Sequence, residues 1–148
     1  MHDNRKITEG RIERFVRDSL VPALYIQTIP LSIGVWDDLD EPLPFADAVG
    51  RQYRPISLPY TWGKAWSTSW FHVTGQVPQE WLRGDGAATR VELVIDLGFT
   101  HDRPGFQVEG LAFRPDGTTI KSINPRSSYV PVPQSGDGGI DMEAHAAG

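Results

Sequence analysis

Residues 60–74 read YTWGKAWSTSWFHVT, and the way this stretch folds decides the class of the whole chain. Trp62, Trp66 and Trp70 recur at every fourth position, which is a helical spacing. The residues between them argue against a helix, because glycine and a Ser-Thr-Ser run are poor helix formers. We therefore predict a strand over 66–74 in which Trp66 and Trp70 share a face. Trp62 belongs to the loop that enters this strand.

The β signal continues toward the end of the chain. Residues 90–98, RVELVIDLG, alternate apolar and polar side chains, with one face formed by Val91, Leu93, Ile95 and Leu97. Further short strands are predicted at 29–36, 106–113, 118–123, 128–132 and 139–145. The PDG sequence at 115–117 predicts a hairpin connection, and 84–86 and 135–139 are predicted loops. Short strands at such close spacing indicate an antiparallel β-sandwich or barrel.

The start of the chain has a different pattern. Residues 8–20, TEGRIERFVRDSL, predict one amphipathic helix whose apolar face consists of Ile12, Phe15, Val16 and Leu20. Thr8 is the predicted N-cap, and Pro22 should end the helix. The apolar face is predicted to dock onto the rest of the protein. We divide the chain into residues 1–26, the helix and its lead-in, and residues 27–148, the β domain.

One long segment lacks a clear period. Residues 37–59 are rich in acidic side chains, proline and small residues, and we predict a surface excursion there. Its acidic start contains Asp37, Asp38, Asp40 and Glu41. These residues lack the glycine and the distal glutamate of a calcium loop, so a solvated loop is favoured over a cation site.

Composition excludes several classes of protein. The 148 residues are enough for a domain with its own core, and a net charge of −5 argues against a nucleic-acid partner. No apolar run is long enough to cross a membrane, so no membrane partner is expected. The chain has no cysteine, which excludes disulfides and thiolate catalysis. The same absence fits a reducing compartment, and we expect a cytoplasmic protein.

No motif for catalysis or metal binding is present. The four histidines lie at none of the zinc-binding spacings, so no catalytic residue, metal ligand or cofactor is expected in this chain. The adjacent His101 and Asp102 are interpreted as a loop pair. Carboxylates on or beside predicted strands are Asp96, Asp102, Glu109, Asp116 and Asp141. Glu109 is predicted to point outward. If it is partly buried, its partner would be Arg114, Arg126 or a backbone N–H.

A strand face with two indoles has two interpretations. Large aromatic side chains usually pack in the core, which is the favoured interpretation for Trp66 and Trp70. Indole rings also stack on sugar rings, so a carbohydrate-binding surface is the alternative. The candidates for that surface are Trp62, Trp66 and Trp36, and Trp62 is the first to test for sugar.

An ordered set of motifs resembles a known family. WGKAWSTSWFHVTGQVPQEW is followed by VELVIDLG and by EGLAFRPDGTTIKSINPRSSYVPVP, and the match spans most of residues 8–145. This order is similar to the N-terminal region of α-mannosidases of glycoside hydrolase family 38, the vacuolar and cytosolic type. The resemblance implies a jelly-roll-like, galactose-binding-domain-like β-sandwich with one N-terminal α-helix, which precedes a catalytic barrel.

The resemblance also implies where the chemistry lies. In that family an Asp nucleophile and a zinc ion, held by His and Asp ligands, release α-linked mannose within the barrel. The family's His-x-Asp metal motif has no counterpart here, since His101-Asp102 does not match it, and no catalytic or metal residue carries over. Ile140, Met142 and Ala144 begin an alternating strand close to the last residue, so we expect a fragment truncated before the barrel.

These observations leave three functions of different classes. The first is a structural domain that packs on its own downstream catalytic domain or on other subunits of a homo-oligomer. The second is a carbohydrate-binding module for mannose-containing glycans. The third, an enzyme in its own right, lacks a recognisable set of catalytic residues.

Overall fold

The computed structural model describes residues 4–82, 90–99, 108–132 and 137–147. The chain forms two compact units, Met1–Pro30 and Leu31–Gly148.

The first unit is helical and longer than predicted. It consists of α1 (Arg5–Phe15), a π-helical turn (Val16–Leu20) and α2 (Val21–Ala23). The prediction of Thr8 as N-cap is wrong, because its backbone N–H already donates to the carbonyl of Asn4 at 2.9 Å. Thr8 therefore lies inside the first turn.

Pro22 does not end this helix, which also contradicts the sequence prediction. The backbone N–H of Val21 bonds to the carbonyl of Val16, five residues back, which is the wider spacing of a π turn. Pro22 then occupies the first turn of α2. Proline has no N–H to continue the helical hydrogen bonds, and the wider π turn lies directly before it.

The second unit is mainly β. Its elements are β1 (Ser32–Leu39), α3 (Phe45–Ala48), β2 (Arg54–Ile56), β3 (Thr68–Gln76), α4 (Gln79–Leu82), β4 (Glu92–Val94), β5 (Glu109–Phe113), β6 (Thr119–Ile123), β7 (Tyr129–Pro131) and β8 (Gly139–Ala147). Six strands form an antiparallel sheet in the order β2-β1-β3-β8-β5-β6, and β4 pairs with β7 in a second antiparallel sheet.

The core lies between the two sheets and confirms the predicted antiparallel sandwich. Its buried apolar side chains come from both sheets and are Val73, Leu93, Ala112, Ile123, Val130 and Met142. The face predicted for 90–98 is also confirmed, since Ile95 and Leu97 pack against this cluster beside buried Leu93. A second cluster extends the core along β1, β3 and β8 and consists of Val35, Phe71, Ala144 and Ala146.

The hairpin at 115–117 also forms as predicted. Arg114 N–H donates to the carbonyl of Thr118 at 2.9 Å, and Gly117 has a φ of +84°, which glycine adopts without strain. The predicted loop at 84–86 lies outside the described residues.

The surface excursion predicted over 37–59 contains regular secondary structure that its sequence pattern did not show. β1 extends to Leu39, α3 forms at Phe45–Ala48, and β2 pairs with β1 at the edge of the large sheet. Pattern analysis missed both new elements, because α3 has only four residues and β2 only three.

The large sheet has a second covered face, which we call the outer face. Alternation along the strands places on it, opposite the sandwich core, side chains that include Trp36, Trp70, His72, Leu111, Phe113, Glu143 and His145. Residues 40–53, which connect β1 to β2 and contain α3, lie over part of this face, and we call them the strap.

Candidate functional site

Trp62 lies in the loop before β3, as predicted, and belongs to the core side of the sheet. Its ring meets Phe71 edge to face with the centroids 5.4 Å apart, and its side chain is partly buried against the second core cluster. A shallow cleft of about 230 Å³ lies beside it. The residues that line the cleft are Trp62, Gly63, Lys64, Ala65, Leu97, Gly98 and Val108.

Trp66 is not part of the strand, which corrects the prediction that it shares a buried face with Trp70. It is 93% exposed and has a φ of +66° in the turn before β3. Backbone of this hand is uncommon for any residue other than glycine. β3 begins only at Thr68, so the alternation of the strand does not reach Trp66.

Ser67 fixes the turn that presents Trp66. Its hydroxyl accepts from the N–H of Lys64 at 2.9 Å and donates to the carbonyl of Lys64 at 2.7 Å. The backbone N–H of Ser67 donates to the same carbonyl at 2.9 Å. These bonds hold an exposed indole on a defined turn.

Trp36 occupies the opposite side of the sheet from Trp62. It lies on β1 directly across from Trp70, and the Arg51 guanidinium sits 5.1 Å from the centre of its ring. This distance is within the range of a cation–π contact. The structure therefore does not bring the three candidate tryptophans together, and Trp36 cannot form one platform with Trp62.

Trp70 is buried as predicted, but it packs on the outer face and not in the sandwich core. It is 1% exposed, with Phe45 of the strap at 6.1 Å, Phe113 at 5.5 Å and His145 at 4.9 Å between ring centroids. The strap therefore helps to exclude water from the indole of Trp70. Its Nε1 atom has no hydrogen-bond partner among the described residues.

Glu143 lies on the same face and is 6% exposed. The hydroxyl of Tyr53, on the strap, lies near its carboxyl group and donates to the carbonyl of Ala48 at 3.3 Å. The strap can approach this closely because Gly34 has no side chain, and a Cβ there would lie 2.7 Å from the Cβ of Tyr53. Burial raises the pKa of Glu143, although Tyr53 and His72 oppose the shift. Burial and the contact with Glu143 raise the pKa of Tyr53 as well.

Two histidines border Glu143. His72 faces Glu143 across β3 and β8, and its Nε2 atom lies 2.8 Å from Oδ1 of Asp141. His145 lies two residues beyond Glu143, and burial lowers its pKa. Sequence analysis missed Tyr53, Glu143 and His145. The available signal was the placement of Asp141, Glu143 and His145 at every second position of a predicted strand.

The remaining carboxylates that sequence singled out hold turns or face solvent. Asp96 accepts from the N–H of Gly98 at 2.9 Å, and Asp116 accepts from the N–H of Thr118 at 2.8 Å. Glu109 is exposed on β5, which confirms its predicted outward orientation. His101 and Asp102 lie outside the described residues.

The acidic start of the predicted excursion is also structured. Asp37 lies on β1, where its carboxylate accepts from the Arg54 guanidinium at 3.1 Å and from the Tyr60 hydroxyl. Asp40 pairs with Lys64 at 3.6 Å. The prediction of a solvated loop is therefore wrong for Asp37, which belongs to a cross-strand network.

The described residues do not fit a zinc site. Across 4–82, 90–99, 108–132 and 137–147, no three histidine, aspartate or glutamate side chains come together in a way that could hold a metal ion. His72 and Asp141 supply only two ligands, and zinc sites in proteins use at least three protein ligands.

Comparison with known proteins identifies the family. The model of the jelly-roll domain of α-mannosidases matches residues 29–145, which is most of the chain. The chain belongs to the α-mannosidase jelly-roll domain family. The resemblance inferred from the WGKAWSTSWF segment and the motifs after it is thereby confirmed.

A curated relative of this jelly-roll domain is the human protein alpha-mannosidase 2C1. The two are 29% identical over 141 residues, which is 89% of this chain and 12% of the human protein. The chain thus spans about an eighth of that relative's length. In the part of the chain that the structure describes, no helix is both long and apolar enough to cross a membrane.

Proposed function

We propose that this jelly-roll domain is a non-catalytic structural domain of an α-mannosidase and that it packs against the enzyme's catalytic domain. Family membership and the relative's name support the parent activity. The catalytic domain would then hydrolyse α-linked mannose and hold the zinc ion that assists this reaction. This chain would contribute to the assembly of the enzyme.

The observation that carries this proposal is the exposure of Trp66. A fully solvated indole in a left-handed turn adds nothing to the core of this chain, and such a conformation costs roughly 1–3 kcal/mol. Strained, well-supported backbone of this kind is found at sites of contact and function. Covering the indole on assembly would recover the free energy of burying a large aromatic side chain.

We infer that the indole is covered by the catalytic domain. The relative contains much more polypeptide than this chain matches, and a long apolar or aromatic side chain on a rigid turn suits a permanent contact between domains. Other subunits of a homo-oligomer are the second candidate partner. A cytoplasmic location remains our expectation from the absence of cysteine.

The test uses the complete product of the gene that encodes this chain, with Trp66→Ala and Tyr129→Ala variants. Tyr129 is the control because it is also an exposed aromatic residue, 39% exposed, in the other sheet. We expect hydrolysis of p-nitrophenyl α-mannoside by the complete product and none above buffer by the 148-residue chain. Trp66→Ala should lower the temperature of inactivation and leave KM unchanged, whereas Tyr129→Ala, which removes only a surface contact with Lys121, should lower that temperature less and also leave KM unchanged.

Two results would contradict this proposal. One is a complete gene product without α-mannosidase activity, and the other is hydrolysis by the 148-residue chain. A Trp66→Ala variant as heat-resistant as the parent would show that Trp66 does not contribute to a contact with the catalytic domain.

A carbohydrate-binding module is the second candidate function, and a specific observation favours it. Exposed Trp66 follows directly after the residues that line the cleft beside Trp62, so an aromatic surface and a polar Lys64 occur within one turn. Acrylamide quenching of tryptophan fluorescence, with and without mannobiose, distinguishes the two functions. A saturable protection that Trp66→Ala abolishes supports sugar binding, and unchanged quenching up to high sugar concentration excludes it.

A further inference from the structure

The helical first unit presents a row of large apolar side chains to solvent. Every residue from 11 to 30 is exposed. Six of these residues are large, apolar and helical, with exposed fractions between 40% and 66%: Ile12, Phe15, Val16, Leu20, Val21 and Leu24. A contiguous apolar surface of this kind on a folded protein is typical of a contact site.

The π turn aligns these six side chains on one side of the helix. The N–H of Val21 bonds to the carbonyl of Val16, five residues back, whereas an α-helix bonds residues four apart. The turn thus holds one extra residue, and each residue after it takes the angular position of the preceding number in an unbroken α-helix. The six side chains therefore follow the spacing i, i+3, i+4, i+7, i+8 and i+11, which forms one helical face. We call this face the apolar stripe.

The apolar stripe has the same spacing in both directions. Forward from residue 12, the steps between successive stripe residues are 3, 1, 4, 1 and 3, and backward from residue 24 they are the same. An antiparallel copy of the helix would therefore match the stripe residues in three pairs: Ile12 with Leu24, Phe15 with Val21, and Val16 with Leu20. Each pair would occur twice, which is what a two-fold symmetric interface between identical chains requires.

The charged side chains favour the same antiparallel pairing. Residues 5–18 contain five basic and three acidic side chains, whereas residues 19–30 contain none. A parallel pair would set the excess of basic side chains of the two helices side by side. An antiparallel pair places the charged half of each helix beside the uncharged half of the other and opposes the two helix dipoles. Charges of both signs on the polar side argue against a lipid surface as the partner.

The area of the apolar stripe also suits a second copy. Six large apolar side chains, each about half exposed, present roughly 600 Å² to solvent, so two copies would bury about 1,200 Å², the lower end of the range for stable specific interfaces. A single partner helix covers a stripe of this width, because packed helices meet along rows of side chains three and four residues apart.

We propose that a second copy of this chain covers the apolar stripe, through an antiparallel and two-fold symmetric pairing of the helices that begin at Arg5. The pairing uses residues that precede the jelly-roll match, which begins at residue 29. It is independent of the proposed α-mannosidase activity. A monomeric gene product that hydrolyses α-mannoside would remove the pairing alone, and an inactive gene product that dimerises in this way would remove only the proposed function.

Sedimentation equilibrium of the 148-residue chain tests the pairing. We expect twice the mass of one chain at a concentration of about 100 µM. Phe15→Glu should weaken the dimer at least about 100-fold, because two phenyl rings leave the interface and two charges enter it. Ile7→Glu is the matched control, since Ile7 is 59% exposed on the same helix but lies outside the stripe, about 140° around the axis from Ile12. Its variant should dimerise within about threefold of the parent.

Tryptophan fluorescence checks the folding of these variants, because all five tryptophans lie in the second unit. A parent that keeps the mass of one chain at about 100 µM would overturn the proposal, and this result is expected if the chain covers the stripe itself. A Phe15→Glu variant that dimerises as tightly as the parent would overturn it as well, because the interface would then lie elsewhere.

Cysteine cross-linking tests the orientation, and the cysteine-free sequence provides a clean background. Copies with Ile12→Cys mixed with copies with Leu24→Cys should form disulfide-linked dimers, because antiparallel pairing brings the two positions together. Either variant alone should stay unlinked, since equal positions would lie about 18 Å apart along the helix axis. Linkage of Ile12→Cys to itself would indicate a parallel pair and overturn the proposal.

The same two variants, coexpressed as complete gene products, distinguish a second copy from the catalytic domain as the partner. Linked dimers above the level of the unsubstituted product support the pairing of two copies. The absence of such dimers would show that other polypeptide covers the stripe in the complete protein, and the proposal would be wrong.

Discussion

Ser67 and Ser69 lie two residues apart and are both buried, at 1% and 0% exposure, but only the hydroxyl of Ser67 has hydrogen-bond partners. Ser67 closes the turn that carries Trp66. Ser69 lies on β3, and its Oγ atom has no partner among the described residues. Ser67 and Ser69 therefore form a matched pair of buried hydroxyls, of which the first is hydrogen-bonded and the second is not.

Replacing each serine by alanine should separate these roles. Ser67→Ala removes both bonds to Lys64 and leaves the backbone N–H of Lys64 without its acceptor, so the free energy of unfolding should fall by about 1–3 kcal/mol. Ser69→Ala removes a buried hydroxyl without a partner and should change stability by less than about 0.5 kcal/mol, or increase it. Urea unfolding measures both, and equal losses would contradict the assignment.

The effect of substituting Trp66 on stability should depend on how readily the new residue adopts a positive φ, and not on the size of its side chain. Its indole is exposed, so its removal costs no core packing, while its φ of +66° disfavours β-branched residues. Trp66→Asn should retain the stability of the parent within about 0.5 kcal/mol, because asparagine adopts this conformation readily. Trp66→Val should lose about 1–2 kcal/mol more than Trp66→Asn. Urea midpoints of the two variants test this, and a Trp66→Asn variant that loses as much as Trp66→Val would show that the indole itself stabilises the fold.

The sandwich could be predicted from the sequence because its strands alternate in polarity. Residues 90–98 and 139–145 show the pattern, and both became strands that contribute side chains to the core. The same rule failed at Trp66, because the apparent alternation in the sequence begins two residues before β3 does. The start of that strand is set by the hydroxyl of Ser67, and side-chain polarity does not report such a bond.

The strap could not be predicted for a different reason. α3 has four residues, only about one turn of helix, so no period develops. The contact between Tyr53 and Glu143 joins distant parts of the sequence through strand pairing. An alternating strand shows that Glu143 and His145 share a face, but it does not show that a connection elsewhere in the chain covers that face.

Gly117 and Gly50 should respond differently to alanine because only one of them lies against a neighbour. Both have positive φ, at +84° and +79°, so alanine introduces backbone strain of about 1–2 kcal/mol at either site. A Cβ at Gly117 would also lie 3.0 Å from Cδ1 of Phe45, whereas nothing lies within 4 Å at Gly50. Gly117→Ala should therefore lose about 1 kcal/mol more than Gly50→Ala, since Phe45 must shift within the strap.

The control for this pair is Phe45→Ala combined with Gly117→Ala. With the phenyl ring removed, the additional loss at Gly117 should disappear, and the remaining cost should equal that of Gly50→Ala. Chemical unfolding of the four variants completes the cycle. An additional loss that persists without Phe45 would assign the effect to the hairpin turn alone.

His145 should make the domain sensitive to acid. Burial beside Trp70 lowers the pKa of His145, so the folded chain keeps this side chain neutral while the unfolded chain protonates it near pH 6.5. The stabilising contribution is complete above pH 6.5 and is lost as pH falls toward the lowered pKa. Between pH 6.5 and the lowered pKa, the free energy of unfolding should fall by up to about 1.4 kcal/mol per pH unit relative to a variant that lacks this titrating side chain.

The measurement compares the parent with His145→Gln at pH 8 and at pH 5.5 by urea unfolding. Because burial raises the pKa of Glu143 and gives that residue the opposite pH dependence, the comparison is made in a Glu143→Gln background. The destabilisation by His145→Gln should be smaller at pH 5.5 than at pH 8, since the glutamine carries no proton. A destabilisation that is the same at both pH values would contradict the neutral, buried His145.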